Sequence, residues 1–143
     1  MNLAPIKKYK IPIYGDLDFR GKCPSEASEQ VSFLCLLRKE FPQLAEVTAH
    51  IRNEGQRTKL QAFRQKQEGL KKGASDLFMP CNPPILIELK KQDHTASHTT
   101  TEQVKYLFRA RKLGAFGCYA LGASGAMEAV RAWHKLHGAN KKA

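Results

Sequence analysis

The sequence predicts an α/β layered domain built on a small mixed sheet. Three observations predict it. The apolar pattern switches between helical and strand periods in the order helix, strand, helix, strand, strand, helix, strand, helix. At 143 residues and 42% hydrophobic, the chain suits one domain that buries its own core. Two short strands, 76–79 and 85–90, flank Pro80-Cys81-Asn82-Pro83-Pro84, a segment that can only turn.

The elements follow in order. Residues 1–22 are broken by Pro5, Pro12 and Gly15, and read as an irregular N-terminal extension. Lys8–Tyr14 is the place in it for an edge strand or a dimer contact. Ser25 is a good N-cap, and Glu26, Glu29 and Gln30 fill the first turns of the helix behind it, where anionic groups suit the macrodipole. Val31, Leu34, Cys35 and the residues around them supply its apolar face, and Pro42 ends it. Glu46–Ile51 has strand character, and Asn53-Glu54-Gly55 reads as a turn. Residues 56–68 form a basic helix with Leu60 and Phe63 as its few apolar contacts, closed by Gly69 and Gly73. A polar loop covers 91–99. A helix is expected from Thr100 to Leu113, a strand over Gly117–Leu121, a last helix over 124–137, and a frayed basic tail over 139–143. The main domain is thus 23–138.

Lys and Arg number 24 against 13 Asp and Glu, a net charge of +11 that suits a polyanionic partner. The distribution says more. Residues 1–22, 50–72 and 105–143 are basic, whereas 23–49 and 73–104 each carry two basic and four acidic groups. Carboxylates on a phosphate-binding protein repel its ligand unless they hold a cation or transfer protons. No stretch reaches the ~20 apolar residues of a membrane span. The basic start lacks an apolar run behind it, so no secretory leader is expected and the cytoplasm is the default compartment. Cys23, Cys35, Cys81 and Cys118 have no zinc-like spacing, and Cys35 and Cys118 lie in core-like contexts. His134 and His137 have no third ligand beside them and read as surface residues. His94 and His98, in the loop after Lys90, either touch a ligand or are simply exposed.

The candidate chemistry sits around the Pro-rich turn. A hairpin symmetric about Asn82 sets Met79 opposite Ile85 and Asp76 opposite Glu88. Opposed Cβ atoms lie ~4.5–5.5 Å apart, and like charges there are destabilising unless a cation joins them. Hard divalent ions such as Mg²⁺ take oxygen ligands of this kind. With period two, Ile85, Ile87 and Leu89 point one way, and Glu88 and Lys90 together the other. A cation beside a metal-binding carboxylate can orient or help deprotonate water, or offset charge on a transition state. The Leu89 carbonyl is a further candidate ligand. The competing reading is a solvent-facing strand edge.

These residues resemble a known family. GASD followed by ILIELKK is similar to the D-(x)n-(D/E)-x-K signature of the restriction-endonuclease-like, or PD-(D/E)XK, nucleases, with Ser75 where Pro is usual. HIRNEGQR, GLKKGASDLFMP, ILIELKK and TTTEQVKYLFRARKLGAFGCYAL, in that order, resemble the VRR-NUC domain, the virus-type replication–repair nucleases. The likeness runs from about Ser25 to Trp133 and leaves the N-terminal extension uncovered. It implies a restriction-endonuclease-like fold with a mixed central sheet flanked by helices. It implies that Asp76 and Glu88 bind Mg²⁺ or Mn²⁺, that Lys90 is the catalytic lysine, and that a glutamate of the first helix completes the metal site. Glu26 is slightly preferred over Glu29 for that role. Gln103 matches the family's glutamine on the helix after the lysine strand. Thr100-Thr101-Glu102-Gln103 also fits a capping box, and one amide is not expected to serve both purposes. His50, Asn53, Arg57 and Lys59 match the stretch before the basic helix and are expected on phosphates, with Lys72 on the same surface; a solvated turn and helix face is the alternative. Stand-alone members look like dimeric, structure-selective nucleases of branched DNA. A viral origin, with action inside a bacterial host, is implied by the resemblance only.

The leading expectation is therefore a metal-dependent endonuclease acting on duplex or branched DNA, such as four-way junctions. One domain supplies one site, so cutting two strands calls for a twofold homodimer. The alternative is a basic DNA-binding module on a nuclease-like fold without catalysis.

Overall fold

Residues Ile13–Tyr14 (β1), Ala49–His50 (β2), Leu77–Met79 (β3), Ile85–Lys90 (β4) and Phe116–Leu121 (β5) form a mixed sheet with spatial order β1-β5-β4-β3-β2. β1, β5 and β4 run parallel, and β3 is antiparallel to both β4 and β2. Residues 1–51, 58–69 and 71–138 are described by this computed structural model. Its helices are Ala4–Lys8 (α1), Glu26–Glu40 (α2), Pro42–Val47 (α3), Lys59–Gln67 (α4), Thr101–Lys112 (α5) and Gly122–His137 (α6). Among the described residues no helix is long and apolar enough to cross a membrane.

β4 is the keel of the sheet. All six of its residues are buried, as a central strand covered on both faces requires. Ile85, Ile87 and Leu89 pack with Cys118 and Ala120 of β5 under Phe33 and Leu37 of α2 and Met127, Val130 and Trp133 of α6. Leu86 and Tyr119 face the other way, against Ile6 and Ile11 near α1 and Val104 and Leu107 of α5. Each such fully buried apolar side chain contributes about 1.5–3 kcal/mol relative to leaving it in water. The hairpin register is the symmetric one: Leu77 pairs Ile87, Phe78 pairs Leu86 and Met79 pairs Ile85.

Several local expectations are corrected. The N-terminal extension holds a short helix, α1, besides the edge strand β1, and it is anchored: Met1 donates to the His94 carbonyl at 2.9 Å and the Gly21 amide to Asp93 at 3.0 Å. Pro42 does not only stop α2. It opens α3, because a first-turn proline loses no helical hydrogen bond. α3 takes up Glu46 and Val47 and leaves only Ala49–His50 as strand. The buried stripe of α2 is Glu29, Phe33 and Leu37, so Val31 and Cys35 are exposed and Leu34 half-buried; Cys118 alone of the two cysteines is core. Leu60 and Phe63 of α4 are likewise exposed, although they were expected to make its apolar contacts. The loop after β4 includes a turn of 3-10 helix, His94–Ala96, with His94 buried and His98 exposed. Asn53, Arg57 and the turn 53–55 lie outside the described residues.

Candidate active site

The C-terminal end of β4 places Glu88 and Lys90 side by side on the face toward α5. The carboxylate of Glu88 lies 3.5 Å from the Lys90 ammonium, and both side chains are almost wholly buried. A buried ion pair is costly unless further hydrogen bonds complete it. Lys90 also donates a short hydrogen bond to the His98 carbonyl and a longer one, 3.4 Å, to Gln103 Oε1. Gln103 Nε2 donates to Glu88 Oε1 at 2.9 Å.

Gln103 corrects an expectation. Its Oε1 accepts from the Thr100 amide at 3.0 Å, and its own amide donates to Thr100 Oγ1 at 3.2 Å, so it closes the capping box of α5 while holding Glu88. The two roles coexist because an amide side chain has an acceptor end and a donor end. The Thr100 N–H can only donate, and so takes the oxygen end, while the Glu88 carboxylate accepts from the nitrogen end, which fixes the orientation. Gly73 presses on the same turn. At φ +83°, a Cβ there would come within 2.5 Å of the Glu102 carbonyl carbon, so only glycine lets this segment support Gln103 so closely.

Asp76 stands at the start of β3, opposite Glu88 by continuation of the register. Its Oδ2 accepts from the Leu89 amide at 3.0 Å, and its carbonyl accepts from the Ile51 amide at 2.7 Å. In a strand the N–H and C=O of one residue point the same way, so the Leu89 carbonyl lies on the Asp76 side. Burial first, and the Asp76 carboxylate second, push the Glu88 pKa well above the ordinary carboxylate range, against the opposing Lys90 ammonium. Glu88 Oε2 is buried with no hydrogen-bond partner among the described residues. Two carboxylates held together, with one oxygen left over, are an arrangement that a cation would complete.

These groups line an open cleft of about 410 Å³. Glu26, Gln30 and Val31 of α2 form one wall, and His50 of β2 another; Asp76, Glu88, Leu89, Lys90 and Gln103 complete the lining. The first-helix glutamates now separate. Glu26 borders the cleft. Glu29 is buried elsewhere: its Oε2 accepts from the Ala123 amide at 2.7 Å and its Oε1 from Gln92 Nε2 at 3.2 Å. Glu29 thereby caps α6 and ties α2 to the segment leaving Lys90. Gly122, at φ +70°, makes the room, since a Cβ there would overlap Glu29 Oε2. Glu29→Ala removes two charge-assisted bonds and is expected to cost roughly 2–4 kcal/mol in urea unfolding, with Glu26→Ala within about 0.5 kcal/mol of wild type.

A metal fits part of this donor set. Among the described residues no three acidic, histidine or cysteine side chains converge closely enough to form a complete site. Mg²⁺ does not need three: it is commonly held by one or two carboxylates and keeps several waters. Asp76, Glu88 and the Leu89 carbonyl, with Glu26 on the facing wall, suit that mode. Lys59 begins α4 and Lys72 lies 4.0 Å from Glu102; both are exposed.

The fold is known from elsewhere. A solved structure described as a VRR_NUC domain protein superposes with a TM-score of 0.68, covering 81% of this chain and 93% of that one at 20% identity. The chain has a VRR_NUC fold. No family model matches the sequence, and no curated protein does. The likeness is thus one of fold. Within this VRR_NUC fold, Thr99 and Tyr119 also join the site, although sequence reasoning did not single them out. Tyr119 pairs with Glu88 across β4 and β5, and its hydroxyl meets Thr99 Oγ1 at 2.6 Å, which in turn donates to Gln103 Oε1 at 3.2 Å. The signal for Tyr119 was its phase in β5: Gly117, Tyr119 and Leu121 alternate with the core-facing Cys118 and Ala120. Gln30 was legible as the residue one helical turn beyond Glu26.

Proposed function

We propose that this protein is a metal-dependent endonuclease that hydrolyses DNA phosphodiester bonds, with Asp76, Glu88, Lys90 and Gln103 as its catalytic centre. The observation that carries this reading is the pair of carboxylates Glu88 and Asp76 lining an open cleft, with Glu88 Oε2 buried and given no hydrogen-bond donor among the described residues, in a chain of net charge +11. Asp76, Glu88 and the Leu89 carbonyl would hold Mg²⁺ or Mn²⁺, with Glu26 on the facing wall of the cleft as a further carboxylate. The ion, when bound, supplies Lewis acidity at the scissile phosphate and lowers the pKa of a water. Lys90 orients the attacking water or offsets charge as the water oxygen bonds to phosphorus and the P–O bond to one sugar breaks, the water giving up its proton to solvent and the leaving sugar oxygen taking one from solvent. Gln103 keeps Glu88 and Lys90 in place. His50, Lys59 and Lys72, with Asn53 and Arg57, receive flanking phosphates. Branched DNA such as a four-way junction, met in viral replication or repair within a bacterial cytoplasm, is the proposed substrate. A twofold homodimer, with the N-terminal extension as one contact candidate, allows both strands to be cut.

A second reading rests on the incomplete metal set among the described residues. On that reading the basic surface grips DNA and the site does not cut. The deciding experiment incubates wild type with labelled duplex, single-stranded and four-way-junction DNA in Mg²⁺, Mn²⁺ or EDTA. Cutting with either metal and none in EDTA is expected, with the junction cut fastest. Tight binding to all three DNAs without cutting would replace the nuclease by the binding module.

A further inference from the structure

Helix α4 is built the wrong way round for a helix that packs on its own protein. A surface helix turns its apolar stripe inward. In α4 the half-buried residues are Ala62 and Gln65, whereas Leu60 and Phe63 are each 57% exposed. At 100° per residue Leu60, Phe63 and Gln67 share the face opposite Ala62 and Gln65. Lys59 and Lys66 flank that face on one side and Arg64 on the other. None of the nine residues is buried. A local device closes its first turn: Thr58 and Gln61 form a reciprocal capping box, at 3.1 Å and 3.0 Å. α4 lies in the connection between β2, which brings His50 to the cleft, and β3, which begins next to Asp76.

We propose that α4 is a DNA-docking helix: Phe63 and Leu60 seat against an opened base step, while Lys59, Arg64 and Lys66 meet the phosphates beside it. The inference rests on the nuclease reading and adds the element that selects DNA with interrupted stacking. The charge decides between occupants. α4 has three cations and no carboxylate, so a second copy laid face to face would oppose like charges, whereas a polyanion matches the whole face. The aromatic decides between DNA forms. An intact duplex offers phosphates and sugars to an outward-facing Phe, whereas a nick, gap or branch exposes a base face on which it can stack or wedge.

The test uses the full chain and two matched 40-mer duplexes, one intact and one with a two-nucleotide gap flanked by 2-aminopurine. Binding is read in Ca²⁺, cleavage in Mg²⁺, and the mass by sedimentation. Wild type is expected to prefer the gapped DNA and to change the 2-aminopurine fluorescence. Phe63→Ala is expected to reduce that preference by on the order of tenfold, erase the fluorescence change and leave intact-duplex binding in place. Lys66→Ala is expected to weaken both DNAs alike and to reduce the salt slope by about one ion. Unchanged preference in Phe63→Ala overturns the inference, as does a dimer that this substitution splits, which would make α4 a self-interface. Preserved preference without metal-dependent cutting by wild type would instead overturn the nuclease reading and leave the docking helix standing.

Discussion

Glu88→Gln is expected to abolish DNA cleavage and, in EDTA, to make the protein more stable. The two effects have one cause. Glu88 is buried against Asp76, and burial together with that neighbouring charge raises its pKa. A carboxyl whose pKa is higher folded than unfolded binds its proton more tightly in the folded state. Stability is therefore greatest below the unfolded pKa and falls as pH rises from there through the folded pKa. The neutral Gln escapes that penalty and still offers an oxygen to Gln103 Nε2. A gain of about 1 kcal/mol near neutral pH is expected, roughly 3–5 °C in Tm for a domain of this size. On the proposed nuclease reading the same substitution removes a charged metal ligand, so the single-turnover rate should fall by about a thousandfold or more. Thermal melts from pH 4 to 8 check the first effect: in EDTA the variant's advantage over wild type should grow up that range, and Mg²⁺ should shrink it, since groups common to both proteins, such as Asp93 and His94, cancel in the difference. A variant that melts below wild type in EDTA would contradict this account of the pair.

Lys90→Met has the second-largest expected effect. Its ammonium is fixed by Glu88, Gln103 and the His98 carbonyl, with the long stem buried beside β5. Methionine keeps the stem and removes the charge. Single-turnover cleavage is expected to fall by about 10²–10³-fold while DNA affinity changes by less than about threefold, because this one buried cation is a small part of the basic surface. Lys90→Arg should not restore the rate. A planar fork does not fit where a compact ammonium meets a carbonyl, an amide and a carboxylate at once. Glu88→Gln leaves Lys90 its bonds to the His98 carbonyl and Gln103 with one carboxylate, Asp76, still nearby, whereas Lys90→Met should lower stability, since it leaves two neighbouring carboxylates, Asp76 and Glu88, without that cation. A Lys90→Met protein that cleaves within tenfold of wild type would remove Lys90 from the catalytic centre.

Much of the site was legible because it is local. The symmetric turn about Asn82 fixes the register that sets Asp76 against Glu88, and the period of two puts Lys90 on the same face as Glu88. The capping box placed Gln103 at the third position of α5, and only its reach across to Glu88 was hidden. What failed was long-range. Nothing near Glu29 announces that its carboxylate caps a helix 94 positions away. That contact takes Glu29 away from the cleft, and Glu29 shares one buried stripe of α2 with Phe33 and Leu37, which leaves Val31 and Cys35 exposed. Pro42 marks the end of α2 as expected, and the start of α3 at the same residue was missed because proline opens helices as well as ending them. Leu60 and Phe63 were assigned to packing by hydrophobicity alone, and their exposure is visible only in three dimensions.

The most direct test of the central claim is single-turnover cleavage of a four-way junction by wild type and Asp76→Asn, with binding followed in parallel. Asn keeps an oxygen for the Leu89 amide and removes only the charge, so the fold should be unaffected. The predicted result is Mg²⁺-dependent cutting by wild type, a loss of at least about a thousandfold in the variant, and equal DNA affinity in both. Cutting by Asp76→Asn at the wild-type rate, or cutting by wild type that survives EDTA, would contradict the assignment of this cleft as the catalytic metal site.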